Sequence, residues 1–95
     1  MRIGYVYIIT NKNRTVLYTG VTSNLRQRLE DHINKKYPNS FSAKYQLNTL
    51  LYFEVFHTIT QAIVREKQIK AGSRDAKVKL IASVNPEWAH LEVGF

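Results

Sequence analysis

The chain contains no cysteine, so a disulfide framework, a thiolate metal site and a cysteine nucleophile are all excluded. It has no apolar run approaching the roughly 20 residues that a membrane-spanning helix needs, and a soluble protein is expected. The opening residues, Met1 to Ile9, carry one Arg and a short apolar run broken by tyrosines, without the long apolar region and small-residue cleavage site of a secretory signal. Together with the missing thiols, this makes the cytoplasm the expected location. Acidic residues are scarce, 7 against 14 Lys and Arg, which leaves a net charge of +7. Such an excess suits a polyanionic partner, because counterion release drives basic proteins onto phosphate backbones, although charge alone also fits an ordinary basic protein. Internal repeats, low-complexity tracts and linkers are absent, as are zinc-finger and helix-turn-helix patterns. Strong intrinsic reading of base sequence is therefore not expected.

What is present is enough for one small domain with one core: 95 residues, 44% of them hydrophobic and 12% aromatic. Val6 to Thr10 and Val16 to Val21 are β-branched and aromatic runs separated by polar Asn11 to Arg14, the pattern of a β-hairpin. With Asn11 to Arg14 as the loop, Thr10 faces Thr15 and Tyr7 faces Tyr18 directly across the strands. Ser23 then caps a helix with Leu25, Leu29 and Ile33 on its buried stripe and with Arg28 and His32 one turn apart. Phe41 to Gln46 add a short helical turn, and Thr49 to Phe56 form a third strand, antiparallel to its neighbour. A helix from Thr58, apolar at Ile59, Ala62, Ile63 and Ile69, ends at Gly72; Ser73 caps a last helix with Val78, Ile81 and Val84 inward, stopped by Asn85 and Pro86. The expected class is α+β, a three-stranded antiparallel sheet flanked by helices.

Glu66 breaks this pattern, since it falls where the helical period calls for an apolar residue. Desolvating a carboxylate costs several kcal/mol unless a cation or hydrogen bonds compensate. One reading makes Glu66 half of a helix-surface pair with Lys70 at i+4. The other points it into a polar cleft as ligand of a hard divalent cation, Mg2+ or Mn2+, which takes only one or two carboxylates and fills its shell with water and phosphate oxygens. Phosphodiester hydrolysis needs a cation on the scissile phosphate, a group to deprotonate water and positive charge for the transition state. Tyr7, Tyr18, Arg28, His32 and Glu66 supply all three, although each taken singly also has a structural explanation.

Tyr5-Val6-Tyr7 within GYVYIIT, then Tyr18-Thr19-Gly20 within LYTGVTSNLRQRLEDH eleven residues further on, resemble the two motif triplets of the GIY-YIG endonuclease family. The resemblance extends through Arg28, His32 and Glu66 to nearly the whole chain, and the FSAKY, REKQIK and NPEW segments look like its compact single-domain branch. It implies a metal-dependent endonuclease acting on DNA without a covalent intermediate, in DNA repair or recombination. It further implies that Glu66 binds the metal, Tyr18 or His32 assists deprotonation of water, Tyr7 hydrogen-bonds the nucleophile or its base, and Arg28 contacts the scissile phosphate. Gly20 would allow close backbone approach, and Asn85 is a further candidate for the site. Two positions depart from the pattern: Tyr5 replaces the leading Gly and Thr19 the usual Ile.

Nucleic acid would lie on the basic residues near Glu66, namely Arg65, Lys67, Lys70, Arg74, Lys77 and Lys79, extended by Lys35, Lys36 and Lys44. A solvated helix face accounts for the same charges. Two rival readings keep this chemistry silent: a DNA- or RNA-binding module using that surface with little or no turnover, and a domain whose motif tyrosines serve only the core. Against both stands the carboxylate of Glu66 on an apolar stripe.

Overall fold

The computed structural model describes residues 3–34, 37 and 40–94. Three strands, β1 (Gly4–Thr10), β2 (Leu17–Thr22) and β3 (Thr49–Phe56), form one antiparallel sheet in the order β2-β1-β3. Helices α1 (Leu25–Ile33) and α2 (Phe41–Tyr45) lie between β2 and β3, and α3 (Ile59–Ala71) and α4 (Arg74–Val84) follow β3. The α+β architecture is the one the sequence predicts.

β1 is central and covered on both faces, which is why it reads as a nearly unbroken apolar run rather than an alternating one. One face gathers Val6, Ile8, Leu51 and Tyr52 against Ala62 and Ile69 of α3 and Ile81 of α4. The other gathers Tyr7, Ile9 and Leu50 against Leu25 and Leu29 of α1, Leu47, and the later residues Leu91 and Val93. A register shift lies between Ile8, paired with Tyr52, and Ile9, paired with Leu50. The extra residue is Leu51, and this β-bulge puts Leu51 and Tyr52 on the same face.

The hairpin register differs from the sequence expectation by two residues. Tyr7 faces Gly20, Ile9 faces Tyr18 and Thr10 faces Leu17, so the connection is longer than Asn11 to Arg14. Asn11 holds this longer loop by accepting the Thr15 and Val16 N–H groups on its Oδ1, at 2.9 and 3.1 Å, and Thr10 donates to the Val16 carbonyl at 2.7 Å. A shift of two preserves side-chain parity, so Tyr7 and Tyr18 remain on one face as diagonal neighbours. The cap of α1 is Asn24 rather than Ser23, its Oδ1 accepting the Gln27 N–H at 3.1 Å. Ile33 and Val84 are 51% and 63% exposed instead of buried, each being the last residue of its helix. Thr58 and Ser73 cap α3 and α4, as predicted in the case of Ser73.

Asn85 is structural. Its Nδ2 donates to the Leu51 and Ala89 carbonyls at 3.0 and 2.8 Å, and its Oδ1 accepts the Ala89 N–H at 3.2 Å. That clasp ties the end of α4 to β3. Beyond it, Leu50 donates its N–H to His90 Nδ1 at 3.0 Å and its carbonyl accepts the Leu91 N–H at 2.8 Å, which covers part of the outer edge of β3. The opposite edge, β2, is where the motif residues lie. Among the described residues, no helix is long and apolar enough to cross a membrane.

Candidate active site

Gly20 explains the geometry of that edge. It is the cross-strand partner of Tyr7, and a Cβ placed on it would stand 2.4 Å from both Cζ and the hydroxyl oxygen of Tyr7. The buried Tyr7 ring therefore crosses β2 through the space that a side chain at position 20 would fill. Gly20→Ala is expected to displace the ring, lowering stability by about 1–3 kcal/mol through overpacking. Thermal unfolding checks this; an unchanged melting temperature would show that the ring is not held there.

At its far end the Tyr7 hydroxyl meets His32 Nε2 at 3.0 Å, and the Arg28 charge is close enough to act on the same phenol. The spacing of Arg28 and His32, one turn apart on α1, places both over the same phenol. Burial, reinforced by the nearby Tyr18 and Glu66 and opposed by Arg28, pushes the Tyr7 pKa up to about 12. At neutral pH Tyr7 is a phenol and keeps its proton. The His32 pKa is lowered from 6.5, first by burial and then by the Arg28 charge, with Asp31 opposing, so the imidazole is uncharged at neutral pH. A neutral imidazole beside a protonated phenol can take a proton from water, which a phenol cannot do.

Tyr18 completes the cluster from the same sheet face. Its ring centroid lies 6.4 Å from Tyr7 and 6.1 Å from His32, and Lys70 Nζ sits 5.9 Å from it on the other side. Lys70 comes from α3, which packs on the opposite face of the sheet from α1 and reaches around the open edge of β2. Lys70 Nζ is 3.1 Å from Glu66 Oε2, and the Glu66 side chain is 14% exposed. The helix-surface ion pair read from the sequence is thus present, and the same carboxylate stands close enough to Tyr7 to raise its pKa. A lone carboxylate with some solvent access suits a hard cation that keeps most of its ligands as water and phosphate oxygen. The Lys70 ammonium beside it shows that the position accepts positive charge. Among the described residues no group of three or more His, Cys, Asp or Glu gathers, so any such ion would depend on Glu66 with oxygen ligands from outside.

The edge thus brings together Tyr7, Tyr18, Arg28, His32 and Glu66. Arg65 turns elsewhere: its Nε donates to Glu54 Oε2 at 2.9 Å, and its charge is matched there. Arg74 reaches the Arg14 carbonyl at 3.4 Å, Lys67 and Lys79 are exposed to solvent, and Lys44 lies beside Tyr45. Lys77 donates to the Gly72 carbonyl at 2.8 Å and shares with Lys70 a groove that runs past Tyr18 and Phe41. Lys35 and Lys36 lie outside the described residues. Asn85 does not join the site, because its side chain is used up in the clasp on β3, across the sheet from β2. Tyr5 and Thr19, the two departures from the motif, pair with Thr22 and Ile8 within the sheet.

The sequence reading does not single out Phe41 and Tyr45, which extend the cluster. Phe41 stacks on Tyr18 at 5.9 Å and meets Tyr45 at 4.6 Å. Two large rings at i and i+4 on a short helix that leaves them in solvent are the signal that finds them.

A family model described as the GIY-YIG catalytic domain matches residues 3–79. A UPF0213 protein of Syntrophus aciditrophicus is 37% identical over 87 residues, covering 92% of this chain and 98% of its own length. A UPF0213 protein of Clostridium perfringens is 39% identical over 85 residues, 85% of each chain. In fold, the chain matches the solution NMR structure of a UPF0213 protein from Bacillus halodurans with a TM-score of 0.59, covering 93% of this chain and 92% of the other at 24% identity.

Proposed function

The chain belongs to the GIY-YIG catalytic-domain family, a nuclease family, and from its site we propose that it is an endonuclease that hydrolyses phosphodiester bonds in DNA with Mg2+ or Mn2+. The observation that carries the proposal is the contact of the Tyr7 phenol with His32 at the edge of β2, under the Arg28 charge and beside the partly open Glu66 carboxylate. Glu66 would hold the metal, which when bound supplies Lewis-acid charge on the phosphate oxygens.

The protein's own groups divide the remaining work. Arg28 binds a non-bridging phosphate oxygen and offsets the extra negative charge of the pentacoordinate transition state. His32, its Nε2 turned to Tyr7, accepts a proton from the attacking water on its other ring nitrogen, so that the new P–O bond forms as the water O–H bond breaks. The opposite P–O bond then breaks, and the leaving sugar oxygen takes its proton from solvent. Tyr7 fixes the imidazole through Nε2 and keeps its own proton, which makes it a positioning residue. Tyr18, only partly buried, hydrogen-bonds the water from the open side. Lys70, paired with Glu66 in this structure, would be available to a phosphate of the same strand if a metal took its place on that carboxylate. Among the described residues we assign no group to the reading of base edges, and the substrate is selected by structure more than by sequence, in keeping with a role in DNA repair or recombination.

The test is incubation of the purified protein with supercoiled and branched DNA, with Mg2+ or Mn2+ or with chelator. Cleavage that requires the metal and falls by about 10²–10³-fold in Arg28→Ala, the loss typical of removing one transition-state donor, is the expected result. DNA affinity without cleavage in either metal would instead favour the binding module, and loss of both would favour a purely structural role.

A further inference from the structure

The candidate pocket opens onto an aromatic surface that the chemistry just described does not use. A cleft of about 160 Å³ has Tyr18, Arg28, Asp31, His32, Tyr37 and Phe41 in its lining. From Tyr18 the rings continue outward: Phe41 lies stacked on it, 5.9 Å away at 30°, and Tyr45 follows 4.6 Å beyond Phe41. Phe41 is 49% and Tyr45 40% exposed. Neither is required by the core, since Leu47, just after the helix, is the residue that anchors this stretch in it. Lys44 Nζ lies 5.5 Å from the Tyr45 centroid, and Lys70 and Lys77 border the adjoining groove.

A row of exposed rings flanked by lysines and ending at a phosphate-binding arginine is the arrangement that holds unpaired nucleotides. Each base has a π-face to stack and each phosphate a charge to pair, whereas bases inside a duplex are already stacked and hidden. With the scissile phosphate at Arg28, the neighbouring base falls against Phe41 and the next against Tyr45. We infer that Phe41 and Tyr45 form a stacking platform for unpaired bases beside the scissile bond, so that the substrate class is a single strand or the unpaired arm of a branched DNA. This rests on the nuclease reading for its orientation, but its binding prediction can be tested without cleavage.

The experiment measures binding of the full chain to oligonucleotides carrying 2-aminopurine, single-stranded or in blunt duplex, in chelator so that nothing is cut. Single strands are expected to bind more tightly than duplex and to show quenched 2-aminopurine emission on stacking. Phe41→Leu, which keeps apolar bulk without a π-face, and Tyr45→Ala are each expected to weaken strand binding by roughly ten- to a hundredfold and to relieve the quenching, with duplex binding unchanged. Circular dichroism of each variant establishes that it is folded. Stacked strand binding by a protein that cuts nothing would uphold the platform and sink the nuclease reading. Metal-dependent cutting with equal affinity for strand and duplex, untouched by Phe41→Leu, would uphold the nuclease and overturn the platform. The platform is also overturned by absence of any oligonucleotide binding, or by self-association of the chain that Phe41→Leu abolishes, which would assign the face to a second copy.

Discussion

Glu66→Gln is expected to reduce metal-dependent cleavage by about 10²–10³-fold or more while moving the stability of the protein by no more than about 0.5 kcal/mol. The two magnitudes come from different sources. In the folded protein Glu66 pairs with Lys70 at i, i+4, and the cation of that pair is half exposed. Such pairs contribute a few tenths of a kcal/mol, and losing the charge also relieves the desolvation of a carboxylate that is mostly buried. In the reaction the same carboxylate is the one hard oxygen that α3 offers beside the Tyr7 and Tyr18 phenols, and a cation held there offsets several kcal/mol of transition-state charge. Glutamine keeps the shape and loses the charge. Parallel measurement of cleavage rate and thermal unfolding checks the prediction, with Lys70→Ala as the comparison. If Glu66 were present only to pair with Lys70, the two substitutions would give the same small effects on both measurements. Activity surviving Glu66→Gln would remove the carboxylate from the mechanism.

Part of this fold is legible in the chain before it is folded. The strands were legible because β-branched and aromatic runs bounded by polar residues leave little choice, and β3 begins and ends where TLLYFEVF does. Helix starts were legible where a single hydroxyl preceded the apolar pattern, as at Ser73. At Ser23 and Asn24 two adjacent residues could cap, and the choice depended on backbone geometry, with Asn24 extended at φ −142°. The hairpin register was out of reach for a different reason. Polar Asn11 to Arg14 suggested a loop of minimal length, but the Asn11 side chain takes over backbone donors of Thr15 and Val16 and lengthens it. Strand parity survived that error, so the placement of both tyrosines on one face survived with it. Asn85 illustrates the opposite failure, since an Asn before Pro has the same appearance in sequence whether it clasps a neighbouring strand or lines a pocket. The aromatic row was hidden because exposure is a property of the fold: nothing in the letters distinguishes Phe41, left in solvent, from Leu47, buried six positions later.

If His32 accepts the proton of the attacking water, kcat/KM should fall on the acid side of a limb lying below pH 6.5, and the limb should vanish in His32→Ala together with about 10²–10⁴-fold of the rate. The sign follows from the surroundings of the ring. Burial and the Arg28 charge both disfavour imidazolium, so the folded-state pKa lies below 6.5 and the neutral, proton-accepting form persists down to that lower pH. Activity is retained above the folded-state pKa and lost as pH falls through it. Were another group the base, the acid limb would be absent or would survive in His32→Ala. Tyr7 enters through position alone: its pKa of about 12 removes it from titration, but its hydroxyl holds His32 Nε2 at 3.0 Å. Tyr7→Phe should therefore keep the acid limb while lowering the rate by about 10²-fold, the loss expected when a reacting group drifts by an ångström. A pH profile from 5 to 10 on the unmodified protein, His32→Ala and Tyr7→Phe checks this, and an acid limb that survives His32→Ala would take the role away from the imidazole.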